Sequence, residues 1–264
     1  MTSPHFKRVL TSLLLLPLLG WAILSGDPVL SIGVTAVAGL GLMEFYAMFW
    51  PGREKLAFKA LGLFFALGMI WAPLSWSGGA LVCMAMLGVA VSFLIAHDRL
   101  KSPDAFKDSQ TLLFGLLYLP FILRLFRTIS APEIGLVLLT TFAADTGAYY
   151  AGSFIGGPKI WPSVSPKKTW AGSLGGLCAS VLVCTAMGLF FGSAHWTSFA
   201  LLGVALNIAA QIGDFFESAL KRWRGVKDSG KILPGHGGIL DRIDSLLFTL
   251  PLYCGLTALF SFFA

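Results

Sequence analysis

The sequence predicts an all-α polytopic membrane protein with about nine transmembrane helices and a cytoplasmic N-terminus. Three observations carry that reading. The 264-residue chain is 56% hydrophobic and 12% charged, whereas a soluble domain carries about a quarter charged residues. The apolar residues fall into runs of about 17–22, enough to cross roughly 30 Å of hydrocarbon as helix, and they lack the alternation of barrel strands. The basic residues favour every second connection, as the positive-inside rule requires of a chain that crosses repeatedly.

Nine spans follow in order, at about 9–25, 28–50, 58–75, 79–96, 110–126, 133–154, 172–192, 197–216 and 243–263. The first follows Lys7 and Arg8 but is longer than a signal-peptide core. Gly26-Asp27-Pro28 after it is no small-x-small cleavage site, so it reads as a retained helix. The second connection then holds Arg53, Lys55 and Lys59, and the fourth Arg99, Lys101 and Lys107. The sixth holds Lys159, Lys167 and Lys168, and the eighth Lys221, Arg222, Arg224, Lys227, Lys231 and Arg242. With Lys7 and Arg8 these make 17 of the 19 basic residues, and only Arg124 and Arg127 fall on the other side. That asymmetry puts the N-terminus in the cytoplasm and the C-terminus across the membrane. The chain divides into an N-terminal part, 1–130, with helices one to five, and a catalytic transmembrane part, 131–264, with helices six to nine. Cytoplasmic loops are expected at 155–171 and 217–242. Gly152-xxx-Gly156 and Gly172-xxx-Gly176 predict close helix contacts, within the chain or across a homodimer.

Several function classes drop out. The net charge of +6 marks no nucleic-acid binder, because the cations come in short bursts between spans. Cys83, Cys178, Cys184 and Cys254 lie in apolar runs with no C-x-x-C and no His at ligand spacing, which argues against a zinc site or a disulfide framework. Gly225 to Ile232 fits G-x-x-x-x-G-K, but Ile232 stands where a P-loop needs Ser or Thr and no strand precedes it. Gly-x-Ser-x-Gly and His-Glu-x-x-His are absent, which weakens lipase and zinc-protease readings.

The acids are the informative residues. Asp214, Glu217, Asp228, Asp241 and Asp244 crowd into 31 residues. Asp145 lies about nine residues from the cytoplasmic end of its span, roughly 13 Å deep at 1.5 Å per residue, and an ionisable group at such depth is a functional-site candidate. Asp214, Ser218 and Arg222 recur every fourth residue and so share a helix face, with Lys221 beside them. Glu217 is off that face and is expected to matter less. Asp241, Asp244 and Ser245 sit together at the start of the ninth span. Between the two groups runs Lys227-Asp-Ser-Gly-Lys-Ile-Leu-Pro-Gly-His-Gly-Gly238. Carboxylates suit a hard divalent cation, Lys and Arg offset phosphate charge, and small residues let backbone N–H groups approach an anion. Together they suit a magnesium-bound polyphosphate.

The stretch Ser218 to Asp244 closely resembles the signature of the phosphatidate cytidylyltransferases (CDP-diacylglycerol synthases), with S-x-x-K-R, K-D, P-G-H-G-G and D-R-x-D at matching spacing. Asp145-Thr-Gly-Ala-Tyr-Tyr-Ala-Gly152 and Ser165-Pro-Lys-Lys-Thr-Trp170 are similar to two further blocks of that family. Ala171 departs from the Glu or other polar residue the family usually carries there. The resemblance covers about 140–250, while the first five helices match only as apolar spans.

It implies CTP and phosphatidate as substrates, CDP-diacylglycerol and pyrophosphate as products, and no nucleic-acid partner. It also implies Mg2+, with a second cation such as K+ beside it, and a location in a bacterial inner membrane with the site facing the cytoplasm. Asp214 and Asp241 are expected to hold the metal, with Asp145 and Asp244 as the next candidates. Lys221, Arg222, Lys227, Lys167 and Lys168 are expected on phosphates. Ser165, Ser218, Asp228, Gly235, His236, Gly237, Gly238 and Arg242 complete the expected substrate site. Two rivals are a CTP-dependent lipid kinase, which uses similar groups, and an ion-coupled transporter.

Overall fold

The computed structural model describes residues 4–99, 101–232 and 237–263, with the backbone alone for residues 4–12, 14 and 15. Among them there is no strand, and an isolated bridge joins Lys159 and Thr169. The helices are α1 (Pro4–Ser25), α2 (Val29–Phe49), α3 (Leu56–Trp71), α4 (Gly78–Asp98), α5 (Ala105–Leu116), α6 (Ala131–Phe154), α7 (Trp170–Phe191), α8 (Trp196–Trp223), α9 (Leu240–Ile243) and α10 (Leu246–Thr257). Beyond α5 the chain continues through a wide π-type turn, Leu117–Phe121, and a 3-10 turn, Arg124–Arg127. Pro120 lies in the first of these, where its missing N–H forbids the regular α pattern.

Five helical stretches among the described residues are long and apolar enough to cross a bilayer: Val29–Phe49, Gly78–Asp98, Ala105–Arg127, Trp170–Phe191 and Trp196–Trp223. Helices bond their own backbone groups, as hydrocarbon demands, and this is an all-helical integral membrane protein. Leu16–Ser25 and Leu56–Trp71 are apolar but shorter. Several boundaries differ from expectation: α1 begins at Pro4 rather than 9, α5 begins at Ala105 rather than 110, and α10 ends at Thr257 rather than 263. α3 stops at Trp71 rather than 75 because Pro73 follows, and the residue before a proline is pushed out of helix. The ninth span is broken at Asp244–Ser245 into α9 and α10. α8 runs to Trp223, so the first seven residues of the expected loop 217–242 are helical.

The chain forms two compact units. One comprises Met1–Thr128 with Asp228–Asp241, the other Ile129–Lys227 with Arg242–Ala264. In the first, Tyr46 of α2 is fully buried and donates its hydroxyl to the Leu112 carbonyl of α5 at 3.0 Å. A Cβ at Gly62 or Gly115 would lie 2.5 or 2.6 Å from the ring, so glycine is what lets α3 and α5 clasp it. At the far end of this unit Arg124 donates to the Pro73 carbonyl at 2.7 Å, and Arg127 to Ile70 and to Asp27, the latter at 3.1 Å. The two arginines that break the charge asymmetry thus lie on carbonyls at and just past the C-terminal end of α3, where a helix favours cations. At the other end Asp108 accepts from Trp50 at 2.9 Å and pairs with Lys55 at 2.7 Å.

In the second unit α6 and α7 touch backbone to backbone. A Cβ at Gly172 would lie 2.8 Å from the Ala148 carbonyl oxygen, and one at Gly176 would lie 2.7 Å from that of Ala144. The Gly172-xxx-Gly176 spacing therefore serves this internal contact rather than a dimer. Gly156 lies beyond α6 at positive φ, so Gly152 and Gly156 share no helix face. α10 packs on α8 where Gly213 meets the backbone of Asp244 and Ser245, and on α6 through Thr141 and Thr249, 3.1 Å apart.

Candidate active site

The second unit gathers acids from three helical segments. Asp145 comes from α6, Asp214 from α8 and Asp244 from the break before α10. Ser245 joins two of them, its hydroxyl donating to Asp145 at 3.4 Å and its N–H to Asp244 at 2.8 Å. The three carboxylates lie close enough to repel one another, while Lys168, Lys221 and Arg242 attract members of the group. Asp145 is exposed and Asp214 and Asp244 are half-buried, so the cluster is open to a ligand.

Lys168 is delivered by the connection from α6 to α7. Gly156 and Gly157 turn the chain at positive φ, and Ile160 N–H to Lys168 and Trp170 N–H to Pro158 close a small ladder at 3.2 and 3.1 Å. Thr169, buried, caps α7 by accepting from Gly172 N–H at 3.1 Å. The ladder aims Lys168 inward, where its ammonium pairs with Asp214 and lies 4.1 Å from the Phe215 ring centroid. Lys167 is exposed, and Ser165 is half-buried with its N–H on the Trp161 carbonyl. The Lys167–Lys168 pair is therefore split into an inner and an outer cation.

Along α8, Ser218 donates to Asp214 at 3.5 Å, as the shared face predicts. Arg222 is exposed and reaches the Val226 carbonyl at 3.0 Å. Lys221 is buried and pairs with Glu217 at 3.0 Å. Glu217, expected to matter less, is fully buried and is the counter-ion of Lys221. Lys227 is exposed at the end of this segment and Arg242 is exposed in α9.

The rest of the motif belongs to the first unit. Asp241 accepts from Ser229 N–H at 3.2 and 3.1 Å and from Gly238 N–H at 2.9 Å. The Gly238 amide, expected to face an anion, is thus committed to Asp241. Gly237 turns at positive φ over that carboxylate, and Asp228 is exposed. Gly235 and His236 lie outside the described residues. One participant was missed: Glu44 of α2, buried, accepts from Leu240 N–H at 2.9 Å and from the Ser229 hydroxyl at 3.1 Å. An acid inside an apolar run was the available signal.

The chain matches the profile of the cytidylyltransferase family over residues 6–260. The chain belongs to the cytidylyltransferase family. It is 36% identical over 255 residues to the phosphatidate cytidylyltransferase of Staphylococcus aureus (strain COL), covering 93% of this chain and 96% of the relative. Its identity to the phosphatidate cytidylyltransferase of Staphylococcus haemolyticus is 37% over 254 residues, with the same coverage. Family membership makes it a nucleotidyltransferase, and the match reaches the first five helices, which motif reading had left uncovered.

No set of three acid, His or Cys side chains among the described residues stands at metal-ligand spacing. Magnesium in nucleotide sites takes one or two carboxylates and completes its shell with phosphate oxygens and water. An ion that arrived with a nucleotide would need only one or two of Asp145, Asp214 and Asp244, not a preassembled cage.

Proposed function

We propose that the protein joins CTP to phosphatidate, forming CDP-diacylglycerol and releasing pyrophosphate, at the cytoplasmic face of a bacterial inner membrane. The observation that carries this reading is the open group of three mutually repelling carboxylates at helix depth, with Lys168 and Lys221 in reach. Such a group is stable only with cations about it, and a magnesium nucleotide supplies them together with phosphates for the lysines. Nine crossings and a cytoplasmic N-terminus are part of the proposal, supported by the distribution of basic residues.

A phosphate oxygen of the lipid attacks the α-phosphorus of CTP. The bond from that phosphorus to the bridging oxygen breaks, and pyrophosphate leaves with the electron pair. No protein nucleophile is needed, so the residues act by positioning and by offsetting charge. A magnesium ion, when bound, neutralises phosphate charge and aligns the reacting groups. Asp214 is its proposed carboxylate, with Asp145 and Asp244 behind it, and a second cation such as K+ would suit the remaining negative charge. Asp241 enters from the D-R-x-D motif; a carboxylate offers about four acceptor sites, so bracing a turn and binding a cation are compatible. Lys168 and Lys221 offset phosphate charge from within, and Lys167, Arg222, Lys227 and Arg242 do so from the rim. The Ser165 and Ser218 hydroxyls are proposed to donate to the same phosphates.

Incubation with phosphatidate, magnesium and CTP labelled at the α- or the γ-phosphate tests the reading. Label from the α-position should enter the lipid. Transfer of γ-label instead would establish a lipid kinase and overturn the proposal.

A further inference from the structure

Glu44 has no place in the motifs that carry the chemistry, yet it is the one acid in α2 and it is buried. A leucine would fill the same space at no electrostatic cost, whereas a carboxylate in an apolar helix is expensive unless it is hydrogen-bonded. Among the described residues its bonds go to one segment. Oε2 accepts the Ser229 hydroxyl at 3.1 Å and the Leu240 N–H at 2.9 Å. Gly230 and Gly238 pack so tightly on the carboxylate that a Cβ at either would overlap it. Ser229 is held twice, by its side chain on Glu44 and by its N–H on Asp241, which also accepts from Gly238 N–H. Two carboxylates thus hold the ends of 229–240, and the glycines are where the segment lies against Glu44.

We propose that Glu44 is a positioning residue that anchors segment 229–240 and, through Ser229, fixes the carboxylate of Asp241. The inference rests on the reading that this glycine-rich segment takes nucleotide phosphates. Glu44 does not touch the substrate; it acts as a hydrogen-bond acceptor, so an uncharged acceptor of the same length should serve nearly as well.

The test uses the full-length protein purified in detergent, with trypsin cleavage at Lys227 and Lys231, KM for CTP, kcat and thermal unfolding measured on each variant. Glu44→Ala removes both bonds and should speed cleavage at Lys227 and Lys231 at least ~10-fold relative to cleavage in 101–107, with KM for CTP raised ~10-fold or more. Glu44→Gln keeps an oxygen acceptor and should stay within ~3-fold of the parent in both. A purely structural acid would lower the folded fraction and leave KM unchanged. If Glu44→Ala does not fold, Ser229→Ala, which removes one of the two bonds, should speed the same cleavages ~3-fold or more. Unchanged cleavage and KM in Glu44→Ala, or Glu44→Gln as damaged as Glu44→Ala, would overturn the anchor. Faster cleavage with an unchanged KM would uphold the anchor and overturn the phosphate role of the segment.

Discussion

Lys168→Met removes one charge while keeping the length and apolar stem of the side chain. The ammonium pairs with Asp214 and stands over Phe215, with 25% of the side chain exposed. A charge-assisted bond contributes about 1.5–3 kcal/mol and a partly exposed cation–π contact roughly 0.5–1 kcal/mol. Taking the low end of each gives about 2 kcal/mol, or ~30-fold in kcat/KM at 1.36 kcal/mol per decade. Lys167→Met, one residue away and equal in charge, removes an exposed cation and should cost no more than ~3-fold, the size of a screened surface interaction. Initial rates of cytidylyl transfer in mixed micelles across a CTP titration give the comparison, with thermal unfolding to correct for folded protein. Equal losses in the two variants would show a diffuse positive field, and a larger loss in Lys167→Met would mean that the inner cation is merely structural.

Glu217→Gln should lower thermal stability in detergent by a margin that reflects the loss of one partner from a buried ion pair, about 3–5 kcal/mol. An unshifted unfolding curve would refute the pairing of Glu217 with Lys221. Asp214→Asn should cut turnover at least ~100-fold while the protein stays folded, because the amide lacks the charge that offsets a hard cation. A near-normal rate across a magnesium titration would count against a direct ligand. A reporter fused after Ala264 should be found outside the cytoplasm and one inserted at 101–107 inside it. Both on one side would break the nine-span topology.

Much of the fold was legible because hydrocarbon restricts the solutions so severely. Apolar length located the helices, and Asp145 stood out because no other Asp, Glu, Lys or Arg of α6 lies near it. Boundaries were less legible where polarity and hydrogen bonding part company. The apolar run of α8 ends near 216, yet its ladder continues, carried by the Glu217–Lys221 pair at helical spacing, itself a signal of helix. The ninth span looked continuous because Asp244 and Ser245 fell at its edge, and the break comes where the backbone of these two residues lies against Gly213. Lys167 and Lys168 are equivalent as letters. Only the ladder from Ile160 to Lys168 and from Trp170 to Pro158 decides which one turns inward. Glu44 could have been found by the rule that flagged Asp145; it was hidden by distance from the motifs.

The first unit is discontinuous, since it draws Asp228–Asp241 from far beyond Thr128. Glu44 and Ser229 are 185 residues apart. At a synthesis rate of about 5–20 residues per second, roughly 10–40 s separate the two on a growing chain. During that interval the acid has left the ribosome and neither of its donors exists. The Glu44 contacts of the first unit therefore close only after Ser229 and Leu240 have been made, and the same segment that completes that unit carries the motif for the chemistry.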